Sequence, residues 1–199
     1  MFTLSEEETP VKARSRRRLG ILVAVLAVVL LAAAGFAAYF LTRDKGIGDY
    51  VVREESSVRI ASPGGNTVLV LTTADGQLRY QVERDGRPFT EAGALGVTVD
   101  SVAYGAADSV EQLGKITGEV RTDKRTINGR MKEAAEPCVS AVVPVNTQGK
   151  EFTLEVRVFD NGAAFRYRLP GEGNRVVKSE QTSFALPAGS MLWASDTHV

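Results

Sequence analysis

The stretch 152–169 constrains the fold more than any other part of the chain. Phe152, Leu154, Val156 and Val158 alternate with Thr153, Glu155, Arg157 and Phe159. After Asp160-Asn161-Gly162, the residues Ala163, Phe165, Tyr167 and Leu169 alternate with Ala164, Arg166 and Arg168. A period of two puts each apolar set on one face of a strand. Asn-Gly favours the positive φ angles of a tight hairpin turn. The expected product is an antiparallel hairpin with one apolar face, which a second layer must cover.

Other segments supply that layer. Thr67-Val68-Leu69-Val70-Leu71 is short, apolar and β-branched, and Ala74-Asp75-Gly76 offers a turn. Leu78, Tyr80 and Val82 then alternate with polar neighbours up to the next turn signal, Asp85-Gly86. Weaker strand signals lie at 96–100 and 112–120, and an apolar run at 138–145 ends at a turn over 146–149. The stretch 119–136 has no clear period, and 131–136 fits one helical turn or a loop equally well. Short strands, frequent Gly turns and no long amphipathic helix predict an all-β fold, an antiparallel β-sandwich.

Ahead of that domain, 19–41 holds 23 residues without one charge. As a helix it would span about 34 Å, enough to cross a hydrocarbon core of about 30 Å. Lys12, Arg14, Arg16, Arg17 and Arg18 precede it, whereas Arg43 and Lys45 follow. Basic residues stay inside, so the expectation is a single-pass membrane protein with a cytoplasmic N-terminus and an extracytoplasmic domain. The run is longer than the apolar core of a cleaved signal peptide, which favours an uncleaved anchor, although Ala32-Ala33-Ala34 and Ala37-Ala38 offer peptidase sites. The expected organisation is a tail over 1–18, a transmembrane anchor over 19–41, a linker over 42–57 and a β-domain over 58–199.

Composition narrows the chemistry. Of 24 Lys and Arg and 24 Asp and Glu, residues 1–45 hold 7 and 4, leaving 17 and 20 beyond. This balance gives no reason to expect a nucleic-acid partner. Cys138 is the only cysteine and sits in an apolar run, as a core residue does; the only histidine, His198, lies at the C-terminal edge. There is no phosphate-binding glycine loop, no CxxC and no HExxH. A nucleophile–histidine pair would depend on His198, and zinc would lack ligands. Paired carboxylates leave no mark in sequence spacing. The residues alone therefore name no active site and no cofactor.

A resemblance supplies more. Arg157, Phe159, Asp160, Gly162, Ala164, Phe165, Arg166 and Tyr167 follow a pattern similar to one in the N-terminal domain of glycoside hydrolase family 97. Ser62-Pro63-Gly64-Gly65, the segment 75–89, Ala94-Leu95-Gly96, Glu180-Gln181-Thr182-Ser183-Phe184 and Trp193 agree in order, while 101–150 matches poorly. The resemblance implies a β-sandwich that packs on a catalytic β/α barrel in α-glucosidases and α-galactosidases. It also implies Ca²⁺ in the full-length enzyme. The family's catalytic carboxylates and most calcium ligands belong to the barrel, so none carries over to this chain, which is expected to be inactive alone and to stop before the barrel.

Two residues stand out as candidate contacts. Trp193 could stack on a sugar ring or pack in a domain interface, and packing is favoured. Arg166 points away from the apolar face of its strand and could meet the barrel. The expected partners are the lipid membrane, the barrel and an α-linked oligosaccharide. The alternative function is a standalone carbohydrate-binding or interaction module.

Overall fold

The computed structural model describes residues 26, 28–30, 46–106, 108–126 and 133–193. The chain divides into two compact units, Met1–Asp44 and Lys45–Val199. In the second unit, a 3-10 turn over Ile47–Asp49 leads into β1 (Val51–Arg53), β2 (Ser57–Ala61), β3 (Thr67–Ala74), β4 (Gln77–Arg84), β5 (Arg87–Pro88) and β6 (Gly93–Ala94). There follow β7 (Val97–Val99), β8 (Val102–Tyr104), β9 (Val110–Leu113), β10 (Thr117–Thr126), β11 (Glu133–Thr147), β12 (Lys150–Phe159), β13 (Gly162–Arg168) and β14 (Val177–Glu180).

These strands form three antiparallel sheets. The first runs β1-β2-β3-β4-β5, with β6 also on β4; the second runs β10-β11-β12-β13, with β9 on β11; the third is β14-β7-β8. Alternation decides what each face buries. Val58 and Ile60 of β2, Leu69 and Leu71 of β3, and Leu78 and Tyr80 of β4 join one cluster with Val139, Ala141, Val143 and Val145 of β11. Phe152, Leu154, Val156 and Val158 of β12 complete it. Burying each such large apolar side chain contributes about 1.5–3 kcal/mol, so this shared core is what holds the sandwich closed. Cys138 is buried, as its apolar run suggests.

The turns are set by residues that tolerate positive φ. Asp75 and Gly76 lie at 52° and 64°, Asp85 and Gly86 at 50° and 74°, and Gln148 and Gly149 at 47° and 71°. Two consecutive positive values are the geometry of a type I′ hairpin. The β12–β13 hairpin differs from expectation. Phe159 pairs with Gly162, so the loop is Asp160-Asn161, and neither residue has positive φ. Its geometry is held from the other sheet: Gly64 N donates to Asp160 Oδ1 at 2.8 Å and Thr67 Oγ1 donates to Asp160 O at 2.9 Å.

The segment without a clear period is also strand, over 117–126 and again from Glu133. The long β11 takes two partners on one side, β9 and then β10, with a break over 114–116. Pro144 explains the break. Its carbonyl accepts from Gly114 N at 2.7 Å, and a strand residue's N and C=O point to the same side. The proline's missing donor therefore faces the interruption. Arg53 of the first sheet donates to Leu113 O and Gly114 O at 2.5 and 2.8 Å, so the carbonyls at the break are satisfied.

The membrane expectation is corrected. Among the described residues no helix is long and apolar enough to cross a membrane. Of the run 19–41 only Leu26, Val28, Val29 and Leu30 are described, as helix; the rest of it, the tail 1–18 and residues 42–45 lie outside the described residues. A crossing takes about 20 apolar helical residues, far more than these four. Among the described residues the fold class is thus one of antiparallel β-sheets, with no helix long and apolar enough to cross a membrane. The single-pass location, its topology and the lipid partner lose their support with it.

Candidate docking surface

Two surfaces concentrate the side chains that could meet a partner. The first is the outer face of the second sheet. Thr153, Glu155 and Arg157 stand opposite Arg168, Arg166 and Ala164 across the β12–β13 register. Arg166 Nε donates to Glu155 Oε2 at 2.6 Å, and Arg168 Nη1 donates to Glu155 Oε1 at 3.2 Å. Nearby, Arg121 Nη2 and Arg157 Nη1 donate to the two oxygens of the largely buried Asp123, at 2.7 and 2.6 Å. A shallow depression of about 360 Å³ lies among Arg121, Ser140, Glu155, Arg157 and Arg166.

This face has carboxylates, yet its electrostatics run against acid catalysis. Hydrolysis of a glycosidic bond needs a carboxyl group kept protonated near neutrality, by burial or a like charge. The Glu155 carboxyl is instead held below its ordinary value, chiefly by the hydrogen bond from Arg166, with Arg168 adding to it against the opposing effect of burial. Asp123 is bracketed by two guanidiniums. The face is a lattice of neutralised pairs.

The second surface is the edge where β13 ends one sheet and β4 to β6 end the other. Residues 181–185 run along it. Gln181 N donates to Gly96 O at 2.8 Å, Ser183 N to Ala94 O at 3.0 Å, and Glu91 N to Ala185 O at 2.9 Å. With β14 on β7, they make residues 91–99 and 177–185 one ribbon that joins the third sheet to the first. Gly93 allows this close seat: a Cβ there would stand 2.7 Å from Tyr80 Cε1. An apolar groove of about 250 Å³, lined among others by Leu69, Tyr80, Val82, Phe89, Phe165 and Phe184, opens beside it.

Six aromatic rings run inward from this edge. Phe184 meets Tyr80 at 6.2 Å, Tyr80 meets Phe165 at 5.3 Å, and Phe165 meets Tyr167 at 6.4 Å. Tyr167 meets Phe152 at 6.2 Å, and Phe152 meets Tyr104 at 5.6 Å. Such tilted and edge-on pairs add to the area they bury. Burial pushes both the Tyr80 and the Tyr167 hydroxyls above the ordinary tyrosine value, so both stay protonated and able to donate.

Past the ribbon the chain turns back on itself. Ser190 N donates to Pro187 O at 3.1 Å and Gly189 has φ 84°, the pattern of a type II turn. The turn returns Met191, Leu192 and Trp193 to solvent at 78%, 73% and 87% exposure, beyond Phe184 at 74%. Exposed apolar residues are ordinary when scattered, but a run of them marks a contact surface.

Of the two sequence-derived candidates, Trp193 lies in this run and Arg166 lies in the charged lattice. No hydrogen bond, ion pair or ring contact joins them. Sequence reasoning missed Glu155 and Asp123 as the hubs of that lattice, and it missed the ribbon. Strand alternation could have found Glu155, opposite Arg166 once the hairpin register is set. Among the described residues no group of three or more His, Cys, Asp or Glu could hold a metal ion. The described residues therefore do not fit a Ca²⁺ site built on such side chains.

A family model described as glycosyl-hydrolase 97 N-terminal matches residues 60–199. A probable retaining alpha-galactosidase of Streptomyces bingchenggensis (strain BCW-1) is 30% identical over 141 residues, covering 67% of this chain and 21% of that protein. Among solved structures, a glycoside hydrolase family 97 enzyme in complex with acarbose, from Pseudoalteromonas sp. strain K8, superposes with a TM-score of 0.56 at 19% identity. The match covers 65% of this chain and 20% of that one. A beta-arabinopyranosidase gives a TM-score of 0.53 at 20% identity, covering 67% and 22%. The chain thus spans about one fifth of the length of these relatives.

Proposed function

The chain belongs to the glycosyl-hydrolase 97 N-terminal family, and from that premise we propose that its β-domain is a non-catalytic supporting part of an α-glycoside hydrolase, docked on a catalytic barrel through 184–193. The observation that carries this reading is the solvent-facing run of Phe184, Met191, Leu192 and Trp193. A surface of that kind is stable when a partner covers it. The two carboxylates of the charged face are committed to arginines, which supports a structural role over a catalytic one. Substrates of the assembled enzyme would be α-linked glucosides or galactosides, and any calcium would be held by residues of the barrel.

A sugar-binding role for Trp193 is less well supported. Sugar recognition joins a stacking ring to polar groups that fix the hydroxyls, and among the described residues no side-chain hydrogen bond is made with Trp193. The test is direct. The purified chain, with and without added Ca²⁺, should not turn over aryl α-glucosides or α-galactosides. Calcium-dependent turnover lost on substituting acidic residues of this domain would overturn the reading.

A further inference from the structure

Tyr80 belongs to the first sheet and Tyr167 to the second, yet their hydroxyls reach consecutive residues of one segment. Tyr80 OH donates to Ser183 O at 3.0 Å, and Tyr167 OH lies 2.7 Å from Thr182 Oγ1. Phe165 sits between the two tyrosines, in ring contact with both. Ser183 is held on its other side as well, since Ala94 N donates to Ser183 Oγ at 2.9 Å. We propose that residues 181–185 are a clasp, gripped by one tyrosine hydroxyl from each sheet, which closes the open edge of the sandwich and sets the position of the apolar run it leads into.

The two sheets share a core, but at the β13 and β4–β6 edge no strand pairing joins them, because β13 ends its sheet and β14 belongs to another. Besides the Tyr80–Phe165 ring contact and the interaction of Tyr167 with the Gly96 backbone, a segment hydrogen-bonded to both sheets holds their spacing there. Residues 181–185 have that property: backbone bonds to 91–96 tie them to the first sheet, and the Tyr167–Thr182 bond ties them to the second. Phe184 lies on Tyr80 directly beyond the grip, so a shift of the sheets at this edge moves the start of the exposed run.

The clasp stands apart from docking and is tested on the free chain by amide exchange. Tyr80→Phe and Tyr167→Phe keep the rings and delete only the hydroxyls. Each bond is worth roughly 1 kcal/mol, so each variant should speed exchange at Gln181 and Ser183 about five- to tenfold. The paired strands β11 and β12 should keep their protection. The double variant should exceed either single one by less than their product, because releasing one grip loosens the other. Thr182→Val should give part of the Tyr167→Phe effect, since the Tyr167 hydroxyl also interacts with the Gly96 backbone, and should add nothing to it. Anisotropy of Trp193, the only tryptophan, should fall in the same variants. Unchanged exchange at Gln181 and Ser183 would overturn the clasp, as would a loss of protection spread evenly over both sheets. If the exchange pattern holds while no catalytic portion binds, the clasp stands and the docking reading alone falls.

Discussion

Asp160 accepts a hydrogen bond from the backbone N–H of Gly64, 96 residues earlier in the chain, at 2.8 Å. The contact joins the turn between β12 and β13 to the turn between β2 and β3, so it spans the two sheets. A Cβ on Gly64 would stand 2.7 Å from Asp160 Oδ2, which is why the close approach needs glycine. Asp160→Ala should destabilise the domain by about 1–2 kcal/mol, since a charge-assisted bond is lost and a donor is left unpaired. Asp160→Asn keeps an acceptor and should cost less than Ala. Urea unfolding measures both; an alanine variant as stable as the parent would show that the latch contributes nothing.

Among the described residues Phe152 is the largest fully buried side chain, and its ring meets those of Tyr104 and Tyr167. Phe152→Ala should cost about 3–5 kcal/mol, through lost transfer energy and the cavity left behind. Trp193→Ala should change stability by less than about 0.5 kcal/mol, because the residue is 87% exposed. Thermal unfolding of the two variants side by side tests the contrast between core and contact surface.

The Glu155 pair gives a pH prediction with a definite sign. Its folded carboxyl titrates below its ordinary value of 4.5, chiefly through the Arg166 hydrogen bond. The stabilisation is thus complete above that value and is lost as pH falls through the lowered one. Because Arg166 and Arg168 are exposed, the gain at neutral pH is below about 1 kcal/mol. Glu155→Gln should therefore differ little from the parent in acid and be less stable at neutral pH. Equal pH profiles for the two proteins would remove the pair from the account.

The sequence disclosed what local chemistry controls. Asp75-Gly76 and Asp85-Gly86 turn where their residue types favour positive φ, and the alternations around Tyr80, Leu154 and Phe165 give the buried faces. It misled where tertiary contacts override a local rule. Asn161-Gly162 looks like a type I′ turn, but Asp160 is fixed by Gly64 and Thr67, and the loop shifts by one residue. The stretch 119–136 was hard to read because β10 mixes charges along both faces at a sheet edge. Trp193 was expected on a contact surface from the sequence, whether for a sugar or a domain, and it is 87% exposed. The clasp at 181–185 was invisible, because its partners are a hundred residues away or in the other sheet.

Trp193 lies on the surface proposed to dock a catalytic portion. As the only tryptophan, it is its own probe. The chain labelled with 5-fluorotryptophan gives one ¹⁹F resonance to follow. It should shift on titration with the catalytic portion of the Streptomyces relative, made without the segment that matches this chain. It should stay unmoved with α-linked oligosaccharides. A saturable shift with oligosaccharide and none with the catalytic portion would contradict the claim and make this domain a sugar-binding module.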